Sequence, residues 1–247
     1  MIDRPASAGH HGRKFRACLA ALSVVTTATA CAPTGRIDDF DRIMAALGPS
    51  PLFAGLEDRR DWMTVGRPAS GQVAMAVDEG MPVVKIDAGP DDLILGRRID
   101  QHLLATPYLT WAWKMSPHGG LYHPIRVIVG FRDGPTPAGR RDAALTEIPR
   151  GVRVLEMVWN EKALRRGVLE PPGAEGRTPA RYTIRGGEEA LGKRWTEGVD
   201  LISLHDSAWP GVSTSDTRIL FVSVRAAPYA PVGPRPVALI SDIRLIR

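Results

Sequence analysis

His118 and His123 stand five residues apart in the stretch His-Gly-Gly-Leu-Tyr-His, and Asp206 follows directly on His205. Imidazoles and carboxylates are zinc ligands, but catalytic zinc needs three protein ligands in a defined geometry. A five-residue spacing closed by Pro124 matches no such pattern, so no metal is expected and polar loop residues are the simpler reading. Glu156 interrupts the apolar run Val-Leu-Glu-Met-Val-Trp, and Asp206 and Asp242 lie near the ends of β-like segments. Two carboxylates held roughly 5–9.5 Å apart can run glycoside hydrolysis. Acidic residues on the solvent faces of strands, or paired with Arg126 or Arg244, are the commoner outcome.

The chain has no Gly-x-Ser-x-Gly, no complete phosphate-cradling Gly-x-x-x-x-Gly-Lys-Ser/Thr, no Gly-x-Gly-x-x-Gly after a strand and no Cys-x-x-Cys. No catalytic residue and no cofactor is therefore assigned. The best candidate binding group is Arg126, Trp195, Asp206 and Trp209. Its two indoles bracket a strand and a Pro-Gly turn, and they could line a rim pocket with the arginine and the aspartate.

The elements that must carry these residues are β-strands. In Leu-Thr-Trp-Ala-Trp-Lys-Met, Leu109, Trp111, Trp113 and Met115 share one face by period two, opposite Thr110, Ala112 and Lys114. Apolar neighbours in the same phase make the two indoles core residues rather than a ligand shelf. From about Asp61 onward, short β-branched and aromatic runs are cut by Gly, Pro, Asp and Asn. They include Gln72–Asp78, Met81–Asp87, Ile125–Phe131, Arg153–Trp159, Asp200–His205 and Val237–Ile246. The junction Asp-Glu-Gly between the first two has the form of a hairpin connection. Two polar stretches interrupt the series, Arg132–Gly151 and Asn160–Ala180. Some ten strands without intervening long helices argue for an all-β chain, a two-sheet sandwich or a barrel, and the two-sheet antiparallel β-sandwich is the expectation adopted.

The N-terminal part is of another kind. Arg4, Arg13, Lys14 and Arg16 precede the uncharged Ala17–Ala30, which ends in small residues, and this is the order of a secretory signal peptide. Cys31 follows Thr-Ala-Thr-Ala, and the junction resembles the lipobox of bacterial lipoproteins, with Ala28 where leucine is commonest. The resemblance implies acylation of Cys31, and more than one acyl chain gives stable anchoring at about 0.8 kcal/mol per buried methylene. Ala32 in the next position implies the outer membrane. Simple secretion, with a free thiol at the new N-terminus, is the alternative. Beyond the tether, Ile37, Phe40, Ile43, Met44 and Leu47 repeat at helical spacing before Gly48, which specifies a short amphipathic helix. The expected organisation is a signal peptide at 1–30, a lipidated tether and helix at 31–57 and a β-sandwich at 58–247. Loss of residues 1–30 takes the net charge from +5 to +2, and no basic patch interleaved with aromatics indicates nucleic acid.

The order of Asp61-Trp62 with Gly66, Pro107–Met115, Ile125–Gly134, Leu155–Asn160, Lys193–Gly211 and Ala238–Leu245 resembles the bacterial family known as domain of unknown function 3047. The resemblance implies an exported jelly-roll sandwich of the galactose-binding-like kind. Two departures bear on function. Family members often have paired aspartates before the strand matching Ile125–Phe131, where this chain has Tyr-His-Pro. Many also carry an Asp/Asn/Thr-rich loop before the last strand, and here it is Ala-Pro-Tyr-Ala-Pro-Val-Gly-Pro-Arg-Pro. If those loops bind an ion or ligand in relatives, that property does not transfer.

The function expected is a non-catalytic envelope protein, held to the membrane by a lipid on Cys31 and facing the periplasm, that binds a glycan or another envelope component. An exported hydrolase of polysaccharide or cell wall, and a protein-interaction scaffold, are the alternatives. Replacement of Cys31 by Ser is expected to move the protein from the membrane to the soluble fraction; unchanged fractionation would reject the lipid anchor.

Overall fold

The structure, a computed structural model, describes residues 62–135, 147–173, 178–229 and 234–247. Twelve strands are formed among them: β1 (Trp62–Val65), β2 (Val73–Asp78), β3 (Met81–Asp87), β4 (Leu93–His102), β5 (Tyr108–Met115), β6 (Ile125–Asp133), β7 (Arg153–Asn160), β8 (Leu169–Glu170), β9 (Ala180–Gly186), β10 (Arg194–Asp200), β11 (Thr217–Ala226) and β12 (Val237–Ile246). One sheet has the order β1-β4-β11-β6-β7-β9-β8 and the other β10-β5-β12-β3-β2. Successive strands β3 to β6, and again β10 to β12, alternate between the sheets, the winding of a jelly-roll sandwich. The expected N-terminal helix, the tether and Cys31 lie outside the described residues, as do positions 136–146 of the polar insertion.

The alternation read in the sequence governs the core. Trp111 and Trp113 are both 0% exposed, and they pack with Leu109 and Met115 against Val127, Val129, Leu155 and Trp159 of the opposite sheet. Trp111 and Trp113 meet edge to face with centroids 5.4 Å apart, and Trp113 lies 5.9 Å from Trp159. Each buried indole removes roughly 150–250 Å² from water and prefers such tilted contacts over flat stacking.

Turn chemistry follows the residues. Between β2 and β3, Glu79 and Gly80 both take positive φ, 52° and 80°, the two-residue hairpin turn whose twist suits the flanking strands. Part of the outer face of the seven-stranded sheet is apolar as well: Met63, Ile94, Ile128, Leu220 and Phe221 form a second buried cluster. Gly130 permits it, because a Cβ there would overlap the Phe221 ring.

Two expectations are corrected. Asp200–His205 was expected to be a strand, but β10 ends at Asp200 and a helix, α1, runs from Leu201 to Ala208. The Asp200 carboxylate accepts hydrogen bonds from the amides of Ile202 (2.9 Å) and Ser203 (3.2 Å), an N-cap that outweighs the β-like alternation of Leu-Ile-Ser-Leu. Leu201, His205 and Ala208 then point inward at helical spacing. The sandwich is also not wholly antiparallel, since β9 runs parallel to β7. The chain leaves β7, returns as β8 one strand-width away, and β9 fills the gap between them.

Truncation of Trp113 to Ala is expected to cost about 3–5 kcal/mol, because the indole volume cannot be refilled from two sheets. Urea unfolding of the variant against the parent checks this.

Candidate functional site

One end of the sandwich gathers the loop between β5 and β6, the ends of β7 and β9, the 3-10 turn Glu188–Ala190 and the start of β10. Backbone bonds tie them together: His123 N–H donates to Trp159 O (2.9 Å), Gly187 N–H to Asn160 O (3.1 Å) and Gly192 N–H to Met115 O (2.8 Å). The loop is braced from outside by Gly119 N–H, which donates to the Tyr229 hydroxyl at 3.1 Å. Here His118 and His123 meet edge to face at 5.0 Å. His123 is fully buried, and its Nδ1 accepts from Ile125 N–H at 3.1 Å, while His118 is half-buried. Among the described residues, the ring nitrogens of His118, the Trp159 indole nitrogen and Asn160 Nδ2 have no hydrogen-bond partner.

Beside them a charge pair joins the sheets. Arg185 on β9 donates to Glu197 on β10 through Nε (2.5 Å) and Nη2 (3.2 Å), and Trp113 Nε1 donates to the same carboxylate at 3.1 Å. The Arg185 guanidinium lies 3.7 Å from the Trp195 ring centroid, and Trp195 Nε1 donates to Ala190 O at 2.9 Å. The half-buried Trp195 indole is thereby fixed at both its face and its edge. Sequence reasoning did not find Arg185 and Glu197. The inward orientation of Arg185 depends on an irregularity between Val158 and Trp159 that shifts the β9 alternation and sets Arg185 opposite Trp159, while Glu197 faces inward opposite Trp111 in the regular β10–β5 pairing.

On the outer face of the seven-stranded sheet, Glu156 is 0% exposed and accepts from three arginines. Arg126 Nη1 lies 2.6 Å and Arg181 Nε 3.0 Å from Oε2, and Arg225 Nη1 lies 2.9 Å from Oε1. Arg225 also forks onto Asp92 at 2.8 and 3.0 Å. Burial, followed by the charges of Arg181 and Arg225, lowers Arg126 from its ordinary value even with Glu156 opposing.

The four residues grouped by sequence fall in separate places. Arg126 is on the outer face just described, and Trp195 is at the start of β10. Asp206 and Trp209 lie beyond the far end of β10, roughly 17 Å along the strand at 3.4 Å per residue. At that far end Trp209 packs against His205 (5.2 Å) and Phe131 (5.9 Å), beneath Arg153, which forks onto Asp133 at 2.6 and 2.8 Å. His205 Nδ1 is 3.6 Å from Asp206. Asp242, at positive φ in a bulge of β12, is held by Arg194 (3.4 Å), Ser241 (3.0 Å) and Arg244 (3.2 Å). Glu156 pairs with Arg126 and Asp242 with Arg244, the two arginines offered from the sequence as partners for acidic residues, whereas Asp206 lies beside His205. No group of three or more metal-ligating side chains is present among the described residues.

No family model matches the chain, and no curated protein matches it. Solved structures do. The family 11 carbohydrate-binding module of a cellulosomal cellulase of Clostridium thermocellum aligns over 77% of this chain and 90% of its own, with 12% identity and a TM-score of 0.37. A structure from a comparison of family 12 glycoside hydrolases aligns over 76% and 94%, with 10% identity and a TM-score of 0.39. The xyloglucanase domain of the effector NopAA from Sinorhizobium fredii, in complex with cellobiose, aligns over 76% and 95%, with 11% identity and a TM-score of 0.36.

Burial, with the neighbouring His118, holds the His123 imidazole at about 3, below its ordinary 6.5. The unfolded chain therefore takes up a proton that the fold excludes, and stability falls as pH drops from 6.5 toward 3. His118 and His205 shift in the same direction, each chiefly by burial. In His123→Asn the fall in stability across that window should be shallower by about 1.4 kcal/mol per pH unit. Urea midpoints at neutral and acid pH test it.

Proposed function

We propose that this chain is a non-catalytic binding module for a glycan or another envelope component, carried on an exported, lipid-anchored protein. The observation that carries the reading is the rim at the His118 end of the sandwich. There the half-buried Trp195 indole is clamped by Arg185 and Ala190, at the same end as the half-buried His118. A rigid aromatic surface supports the C–H face of a sugar ring at little entropic cost. The basic, apolar and cysteine segments at the N-terminus support export and anchoring.

The carboxylates favour binding over hydrolysis. Glycosidases need one carboxyl free to donate a proton and a second free to attack or to activate water. Glu156 is buried under three guanidinium groups, Glu197 is held by Arg185 and Trp113, and Asp242 is held by two arginines and a serine. These three are each committed to a structural ion pair, and among the described residues the exposed Asp206, beside His205, has no second free carboxyl next to it.

Glycan-array binding by the full chain, with no release of reducing ends, is the expected result. Trp195→Ala should weaken binding by about tenfold or more, as removal of an aromatic anchor does. Sugar release that disappears in Glu197→Gln or Glu156→Gln would overturn the reading in favour of a hydrolase.

A further inference from the structure

Glu156 poses a question that the rim does not answer. A sheet needs no carboxylate with three arginines on its outer face, and the charges there do not cancel. Arg126, Arg181 and Arg225 face Glu156 and Asp92, so three cations meet two anions in a partly buried patch. The adjacent Arg165–Glu170 pair, at 2.8 Å, is neutral, and Glu170 also accepts from the Tyr122 hydroxyl. Among the described residues one positive charge is left over. It is held where the effective dielectric is lower than in water, so an incoming anion gains more there than on an open surface.

The donors are also incompletely used. Arg181 spends only Nε on Glu156, and its side chain is 30% exposed, with the guanidinium 5.4 Å from the Tyr122 ring centroid. Arg126 spends Nη1 on Glu156, and its Nε makes a long 3.5 Å contact with His123 O. Among the described residues, the Nη2 of Arg126 and both Nη groups of Arg181 carry no hydrogen bond. Glu156 fixes these forks on adjacent strands of a rigid sheet, and a planar guanidinium suits bidentate contact with a carboxylate or phosphate. Burial first, and then the charges of Arg181 and Arg225, lower Arg126, and a bound anion would offset the second of these.

We propose that the outer face of β6, β7, β9 and β11 holds an oxyanion site, built from Arg126 and Arg181 over buried Glu156 with Tyr122 as its side wall, that takes a carboxylate- or phosphate-bearing ligand. Its source as an acidic glycan rests on the binding-module reading above; the site itself does not.

The test is calorimetric titration of the full chain with trigalacturonate, inorganic phosphate and a neutral mixed-linkage β-glucan oligosaccharide. Trigalacturonate should bind and weaken as salt is raised. Arg181→Ala leaves Glu156 two guanidinium partners and brings the patch to zero net charge, so the fold is retained, which thermal melting verifies. It should weaken trigalacturonate binding by about tenfold, the worth of one charge-assisted fork. Arg181→Lys, which keeps the charge and loses the fork, should fall between the two. Absence of binding by both anions, or binding that Arg181→Ala leaves unchanged, overturns the site. Neutral-glucan binding that needs Trp195 and ignores Arg181 in that case leaves the module reading standing. Phosphate binding that needs Arg181, with no binding of either glycan, sustains the oxyanion site and removes the glycan reading.

Discussion

Trp113 stands where two demands on this sandwich meet. Its ring packs between the sheets against Trp111 and Trp159, and its indole N–H reaches Glu197, whose charge Arg185 balances from the opposite sheet. An ion pair with side chains only 11% and 3% exposed gains little net stability, because desolvation offsets the Coulomb attraction. It does, however, admit few alternative geometries. Sliding either sheet by one residue would leave a charge buried without its partner, so the pair fixes the register in which the apolar faces meet. The indoles supply the driving force and the charges supply the alignment.

The two ends and the two faces of the sandwich are consequently unequal. Buried ring nitrogens without hydrogen-bond partners among the described residues occur at both ends, in His118 and in His205, but the end with His118 also carries the fixed, half-buried Trp195 indole. The far end is closed by α1, where His205, Phe131 and Trp209 pack as a plug and Asp133 is held at about 2 by Arg153. The outer face of the seven-stranded sheet is divided between an apolar cluster under Phe221 and the arginine group around Glu156. A buried carboxylate under three guanidinium groups is a rigid foundation, and rigidity is what a binding face needs if recognition is not to cost ordering entropy.

The candidate site was less legible in the sequence than the fold. Arg126 and Glu156 were both named, with a solvent-facing carboxylate, or one paired with Arg126 or Arg244, preferred over a catalytic one. Arg181 and Arg225 could not be added, because their approach depends on the order β11-β6-β7-β9, which brings together residues up to 99 positions apart in sequence. Trp195 and Trp209 looked like neighbours because they are close in the chain, yet an extended strand and a helix turn carry them to opposite ends. Nearness in sequence is a poor guide to nearness in space once a strand intervenes.

The sequence by itself determined the class of fold, most strand positions, the hairpin at Glu79–Gly80 and the burial of Trp111 and Trp113. Each follows from local chemistry: side chains that alternate with period two, residues that tolerate positive φ, and apolar area that must leave water. It also held the signal for α1 in Asp200, but a cap and an alternating run compete over so short a stretch, and burial of His205 and Ala208 decided the outcome. Tertiary structure alone decided the parallel placement of β9, the inward turn of Arg185 and the gathering of three arginines on Glu156. Those depend on which strands pair and in what register, and pairing is settled by contacts distant in the chain that no local pattern encodes.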